Sequence, residues 1–379
     1  MDLLPAAIRT PLAFVLVLGV LVFVHELGHY LAARWRGVHA EVFSVGFGRA
    51  LVRWTDRRGT EWKIGWLPLG GYVRLHGMEE PTEGAPPEER ARWRPGQTFH
   101  DKPVRDRAIV IAAGPFFNFA LAALLFALLY ATAGRPGPST TVASVVAGSA
   151  AERAGIAPGD RLLALDGTPV RRFEDVQRHV QPRAGVPIEV RLERDGVEMV
   201  AVATPEPAPR AEGAPPGASP AGPVGRLGIG GASAVLERLD PASALVAGVA
   251  QTWSITVQTL AGLWEMVSGS RGTEELGGPL RIAQLSGQVA EIGPSALVTF
   301  MAVLSVNLAL INLFPIPILD GGHLVFHALE AIRGRPLPPR AVEYGMRAGL
   351  ALLAALFVFA TWNDLAQLGV VRWFANLAG

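Results

Sequence analysis

The chain has 379 residues, half of them hydrophobic and only 18% charged, with a formal net charge of +1. A soluble chain would carry charge on about a quarter of its residues, and no clustered basic face is present to bind nucleic acid. Cysteine is absent, which excludes disulfides and a thiolate nucleophile and leaves histidine and carboxylate to hold any metal.

Residues 1–36 contain the first apolar stretch, from about Pro11 to Leu31, whose ionisable groups are confined to His25, Glu26 and His29. Its length fits a membrane span. A cleaved signal peptide fits poorly, because Arg9 is offset by Asp2 and the apolar run is too long. His25-Glu26-Leu27-Gly28-His29 is an H-E-x-x-H motif. Histidines four apart share a helical face and can reach one zinc, while the glutamate is turned by about 60°. Zinc lowers the pKa of a bound water towards about 7, and Glu26 is placed to take its proton as it attacks a peptide carbonyl. A charge inside an apolar helix costs at least ~2.5 kcal/mol, so such groups are usually functional. The alternative is a histidine pair hydrogen-bonded within a helix bundle.

Residues 37–103 form a loop. Glu61–Leu67 and Tyr72–Leu75 flank Pro68-Leu-Gly-Gly71 and read as a hairpin. Its edge, at Gly71, Tyr72 and Val73, suits capture of an unwound substrate, whose broken hydrogen bonds strand pairing would replace. A surface hairpin covering the loop is the alternative. Residues 104–134 hold the second span, uncharged from about Ala108 to Gly134. Arg34, Arg36, Arg49, Arg53, Arg57, Arg58 and Lys63 follow the first span, and Arg92, Arg94, Lys102, Arg105 and Arg107 precede the second. This loop is therefore expected in the cytoplasm, with the N-terminus outside.

Residues 135–205 have the look of a small outer domain, with strand-like Thr141–Val146, Arg161–Leu165 and Ile188–Leu192 around a helical Phe173–Val180. Residues 206–240, rich in proline, alanine and glycine, read as a linker. Residues 241–291 include an amphipathic helix over Ala242–Val267. Val246, Val249, Trp253, Val257, Leu260, Trp264 and Val267 form one stripe, opposite Gln251, Gln258 and Glu265. The pattern predicts a helix lying at the interface without crossing. A crossing there would reverse the next span and carry Asp320 away from the histidines.

Residues 292–330 contain the third span, from about Ile292 to Leu319. It leads into Asn312-Leu-Phe-Pro315-Ile-Pro317-Ile-Leu-Asp320-Gly321-Gly322-His323. The prolines break the helix and the glycines let the backbone turn closely. Asp320 lies at the depth of His25 and is the favoured third ligand, with His323 as its rival. Residues 331–379 hold a fourth span, about Ala348 to Asn363, short enough to need Arg347 to snorkel. Arg333, Arg335 and Arg340 before it fit the cytoplasmic side.

The His25–His29 and Asn312–Gly321 motifs, with Phe43–Gly48, Leu67–Leu75 and Gly114-Pro-Phe-Phe-Asn118, resemble those of the bacterial site-2 proteases of peptidase family M50, close to the RseP type. Gly148–Gly167 resembles the PDZ domains of bacterial proteases, which bind a chain end along a sheet edge. A plain spacer is the alternative. The resemblance implies a polytopic α-helical protein of the bacterial inner membrane. It would have four transmembrane helices, a cytoplasmic β-hairpin loop and one extracytoplasmic PDZ domain, where some relatives carry two. It also implies zinc held by His25, His29 and Asp320, with Glu26 as base. The reaction it implies is regulated intramembrane proteolysis of anti-sigma factors or remnant signal peptides. Asn312 would donate to the substrate backbone or bridge helices; Asn118 and Asn307 read as packing residues. A Ste24-type protease would need a late E-x-x-x-D helix, which this chain does not offer. A PDZ-bearing scaffold with a dead site would be told apart by its zinc content.

Overall fold

The computed structural model describes residues 5–78, 96–137, 139–207, 224–231, 236–270, 272 and 277–367. It divides into two units, Met1–Ala131 with Asp240–Gly379, and Thr132–Leu239. Arg92, Arg94 and the end of the chain from 368 lie outside the described residues.

The first unit is a helix assembly with one sheet. Its helices are α1 (Ala6–Trp35), α2 (Val104–Thr132), α3 (Pro241–Val267), α4 (Pro279–Ile292), α5 (Pro294–Leu313), α6 (Asp320–Arg333) and α7 (Pro339–Gln367). Among the described residues α1, α2, α5 and α7 are long and apolar enough to cross a membrane. Two span boundaries differ from the sequence reading. The fourth helix begins at Pro339 and has 29 residues, so the apolar stretch 348–363 lies inside a longer helix whose first turns carry Arg340, Glu343 and Arg347. The third stops at Leu313, not Leu319, because Pro315 and Pro317 cannot continue the ladder and the residues before them avoid helical angles. A new helix, α6, starts at Asp320.

One end of this assembly is tied by polar contacts. Asp364 of α7, buried, accepts hydrogen bonds from the backbone N–H groups of Gly278, Leu280 and Arg281 at 2.8–3.1 Å and so caps α4. Arg9 of α1 pairs with Glu291 at the other end of α4, at 2.5 Å. Since α5 begins at Pro294, α1 and α5 start at the same end of the unit.

Helix α3 exposes Val246, Val249, Trp253, Val257, Leu260, Trp264 and Val267, while Ala244, Gly248, Thr252 and Thr256 are buried. That face of small residues, four apart, is a third side which the division into apolar stripe and polar side had not separated. A Cβ on Gly248 would run into the Ala123 carbonyl and Ala127 of α2, so the two backbones approach closely. The Thr252 and Thr256 hydroxyls donate to carbonyls one turn back, and Thr259 donates to Asn307 Oδ1 of α5 at 3.2 Å. Asn307 thus bridges two helices.

The sheet replaces the expected hairpin. Strand β1 (Ala40–Thr55) bends where Gly46 and Gly48 take φ of +85° and +80°, and pairs with β2 (Glu61–Leu75) twice over. Residues 61–64 lie between 52–55 and 42–45, and 71–74 lie on the far side of 42–45 (Val42↔Glu61, Val42↔Arg74, Val45↔Gly71). Glu61–Leu67 and Tyr72–Leu75 are therefore not partners. The Phe43–Gly48 segment is inserted between them, a long-range pairing that local turn signals do not encode. Gly71–Arg74 remains an edge.

The second unit has a four-stranded antiparallel sheet in the order 168–169, 161–165, 188–194, 197–203. The helix Phe173–Val180 packs Val176 and Val180 into a core with Leu162, Leu165, Ile188 and Val190. The linker reading for 206–240 is corrected where residues are described. Glu206–Pro207 pairs with Gly225–Arg226, Ile229–Gly231 with Val142–Val145, and Leu236–Glu237 with Arg135–Pro136. Leu227 is buried in the module core. Glycine-rich composition hid these short strands; residues 208–223 and 232–235 lie outside the described residues.

Asp160 anchors this unit. Fully buried, it accepts from Arg194 Nε and Nη2 at 2.7 and 2.8 Å and from the Ala157 N–H at 2.8 Å. The Arg194 hydrogen bonds hold its carboxyl below the usual carboxylate value. The stabilisation is therefore complete above the unfolded-state pKa near ~4 and is lost as pH falls through the lower folded value. Asp160→Ala should cost this unit about 2 kcal/mol, read as a lower urea midpoint for proteolytic cleavage within 140–205. The difference from wild type should shrink below about pH 4.

Candidate metal centre

The chemistry-bearing residues come from α1, α2 and α6. On α1, His25 and His29 sit one turn apart with rings edge to face at 4.9 Å, and Glu26 is buried beside them. Asp320, first residue of α6, completes the group. Its Oδ2 lies 3.2 Å from His25 Nε2 and 3.4 Å from His29 Nε2, and the two Nε2 atoms are 3.3 Å apart. Among the described residues this is the one set of three such side chains placed to hold a metal ion. His323 lies outside it, its ring edge to face with Phe326.

These distances bear on both readings of the histidine pair. A single Nε2–H between the rings serves either the other Nε2 or Asp320 Oδ2, all 3.2–3.4 Å apart, but not both well. A tetrahedral ion with bonds of about 2.05 Å needs ligand edges near ~3.3 Å and engages all three. The donor set, two imidazoles and a carboxylate, suits zinc.

The backbone is shaped around this group. Gly28 and Gly114 let α1 and α2 meet: a Cβ on Gly28 would press on the Ala113 carbonyl, and one on Gly114 would overlap both histidine rings. Ile318 takes φ +95° just before Asp320, a strained value for a β-branched residue. Gly321 and Gly322 fold against the backbone of Leu313, Phe314 and Ile316, leaving no room for a side chain. A part-buried ion pair, Arg107 to Glu330 at 2.5 Å, ties α6 to α2.

Each histidine has a second contact. His29 Nδ1 lies 2.9 Å from the Val110 carbonyl, and His25 Nδ1 lies 3.2 Å from the Asn118 carboxamide. Asn118 is wholly buried against His25, which its reading as a packing residue missed. The available signal was its place one turn after Gly114 on an otherwise apolar helix.

The predicted substrate-binding residues divide. Gly71 packs against Glu26, to whose Cγ an added Cβ would come within 3.1 Å, and the Val73 backbone N–H bonds the Glu26 carboxylate. Tyr72 turns the other way, towards Lys63 Nζ at 3.3 Å and the Phe47 ring. Asn312 donates to the Leu308 carbonyl of its own helix at 3.0 Å.

A profile of Peptidase family M50 matches residues 13–356. A candidate zinc metalloprotease of Rhizobium meliloti (strain 1021) is 44% identical over 364 residues, covering 93% of this chain and 95% of its own. One from Agrobacterium fabrum is 44% identical over 370 residues, covering 94% and 95%. Metalloprotease MmpA of Caulobacter vibrioides is 38% identical over 388 residues, covering 95% and 96%.

Gly114→Ala tests the fit of α2 against the metal group. The variant should keep its helix content by circular dichroism while its zinc affinity falls by roughly 10–100-fold, as for other losses of support around a metal ligand.

Proposed function

This chain belongs to peptidase family M50 and is a zinc metalloprotease, and from that premise we propose that it cuts peptide bonds within or beside transmembrane segments of other membrane proteins. The observation that carries this reading is the convergence of His25, His29 and Asp320 beside Glu26, on helices apolar enough to span a bilayer.

In this reading His25 Nε2, His29 Nε2 and Asp320 Oδ2 would hold the zinc. When bound there, zinc acts as a Lewis acid on the scissile carbonyl and acidifies the attacking water. Glu26 takes the proton from that water and passes it to the departing amide nitrogen. The Val73 N–H orients its carboxylate, and Gly71, lacking a side chain, leaves the approach to it narrow but open. A helical substrate hides its amides and must unwind, and strand addition along 71–73 replaces the bonds it gives up. Asn312 would serve as a donor to the substrate backbone by exchanging its bond to Leu308.

On this reading the sheet and the α5–α6 end face the cytoplasm and residues 132–239 lie outside the inner membrane of a bacterium, which the cations of residues 34–63 and 102–107 support. The exposed Phe47, Leu51, Val52, Trp54, Ile64 and Trp66 suit a sheet resting in the bilayer surface, with Arg49, Arg53 and Lys63 near the headgroups. Helix α3 lies without crossing. The outer module, read as a PDZ domain, would receive a chain end, and the substrates would be trimmed membrane proteins such as anti-sigma factors or remnant signal peptides.

Glu26→Gln should keep its zinc and lose proteolysis by about 10²–10⁴-fold, with trimmed membrane stubs accumulating in cells. Normal cleavage by that variant would sink the mechanism. Asp320→Asn should lose zinc as well as cleavage, since an amide is a poor ligand.

Topology has its own test in this naturally cysteine-free chain. A cysteine at Ser270 should react with a membrane-impermeant thiol reagent added outside, and one at Gly334 should be protected until the membrane is opened. The reverse pattern at either position would overturn the four-span arrangement.

A further inference from the structure

An imidazole offers Nε2 to a metal when the proton resides on Nδ1. For His29 the backbone settles this, because the Val110 carbonyl at 2.9 Å from Nδ1 can only accept. For His25 the corresponding group is the Asn118 carboxamide, 3.2 Å from Nδ1, which can present either of two ends. With Nδ2 towards the ring, Nδ1 must be the acceptor, and the proton on Nε2 closes that atom to a metal. With Oδ1 towards the ring, Nδ1–H donates and Nε2 is open.

The surroundings leave this choice to His25. Asn118 is 0% exposed, its Oδ1 has no hydrogen-bond partner, and among the described residues its Nδ2 bonds His25 alone. The main chain at this point is pinned, since the buried Ser305 hydroxyl of α5 donates to the Asn118 carbonyl at 2.8 Å. The side chain is thus free to differ only by a half-turn of its terminal amide. Burying an amide with one end unpaired is costly, and an apolar residue of equal volume would avoid the cost.

We propose that Asn118 is a positioning residue: its Oδ1 accepts from His25 Nδ1–H in the zinc-loaded enzyme and so keeps His25 Nε2 open to the metal. The inference rests on the reading of His25 as a zinc ligand.

The test uses the full-length chain in detergent, with zinc affinity measured by competition against a chromophoric chelator and helix content as the check on folding. Asn118→Leu preserves volume without an acceptor, Asn118→Ala removes both, and Asn118→Asp restores an acceptor for Nδ1–H. Leu and Ala should weaken zinc binding by about 10–100-fold, as second contacts to metal-bound histidines do, and Asp should return it to within about threefold of wild type. Wild-type affinity in either the leucine or the alanine variant overturns the proposal. So does an aspartate variant no tighter than the alanine. His25→Ala separates this failure from that of the site itself. If His25→Ala also keeps zinc, the metal centre has been misassigned; if it loses zinc while Asn118→Leu keeps it, only the role of Asn118 falls.

Discussion

Ionisable groups in an apolar helix are tolerated only where they find partners, because an unpaired charge in hydrocarbon costs several kcal/mol. His25, Glu26 and His29 sit two-thirds of the way along α1, and most of what surrounds them answers that constraint. Asp320 arrives from α6, the Val110 carbonyl and the Asn118 amide from α2, and the Val73 N–H from β2. Three separate segments contribute these four polar groups, so the site exists only when all three are packed against α1.

That packing depends on removing side chains. Gly28 and Gly114 bring α1 and α2 close enough for Asn118 to reach His25, and Gly71 brings the sheet edge against Glu26. Gly321 and Gly322 tuck the start of α6 under the end of α5. In lipid there is little hydrophobic drive between helices, so close backbone approach and interhelical hydrogen bonds carry the association. The same device recurs on α3 at Gly248, where Thr259 and Asn307 add a hydrogen bond.

The break between α5 and α6 serves both structure and chemistry. Pro315 and Pro317 end the helix, Ile318 takes a strained angle, and Asp320 starts a new helix with its carboxylate turned to the histidines. The irregular backbone of 316–319 is half-buried, with Gly349 of α7 against the Pro317 carbonyl. Pinned ends around a strained turn keep the carboxylate in place beside the two imidazoles.

Local periodicity made much of this legible in the sequence. The apolar runs, the i, i+4 histidines and the helix Phe173–Val180 depend on residues near one another in the chain, and so does the exposed stripe of α3. Whether Asp320 or His323 joins the pair, and whether Asn118 packs or orients His25, depends on groups more than ninety residues apart in the chain. The insertion of 42–45 between 61–64 and 71–74, and the return of 225–231 to the second unit, are likewise long-range pairings. Sequence determined which residues could form helices and bear the chemistry, because those properties are set within a few turns. Tertiary structure decided which of them meet, because a contact between distant segments is set by packing and strand register, which no local pattern contains.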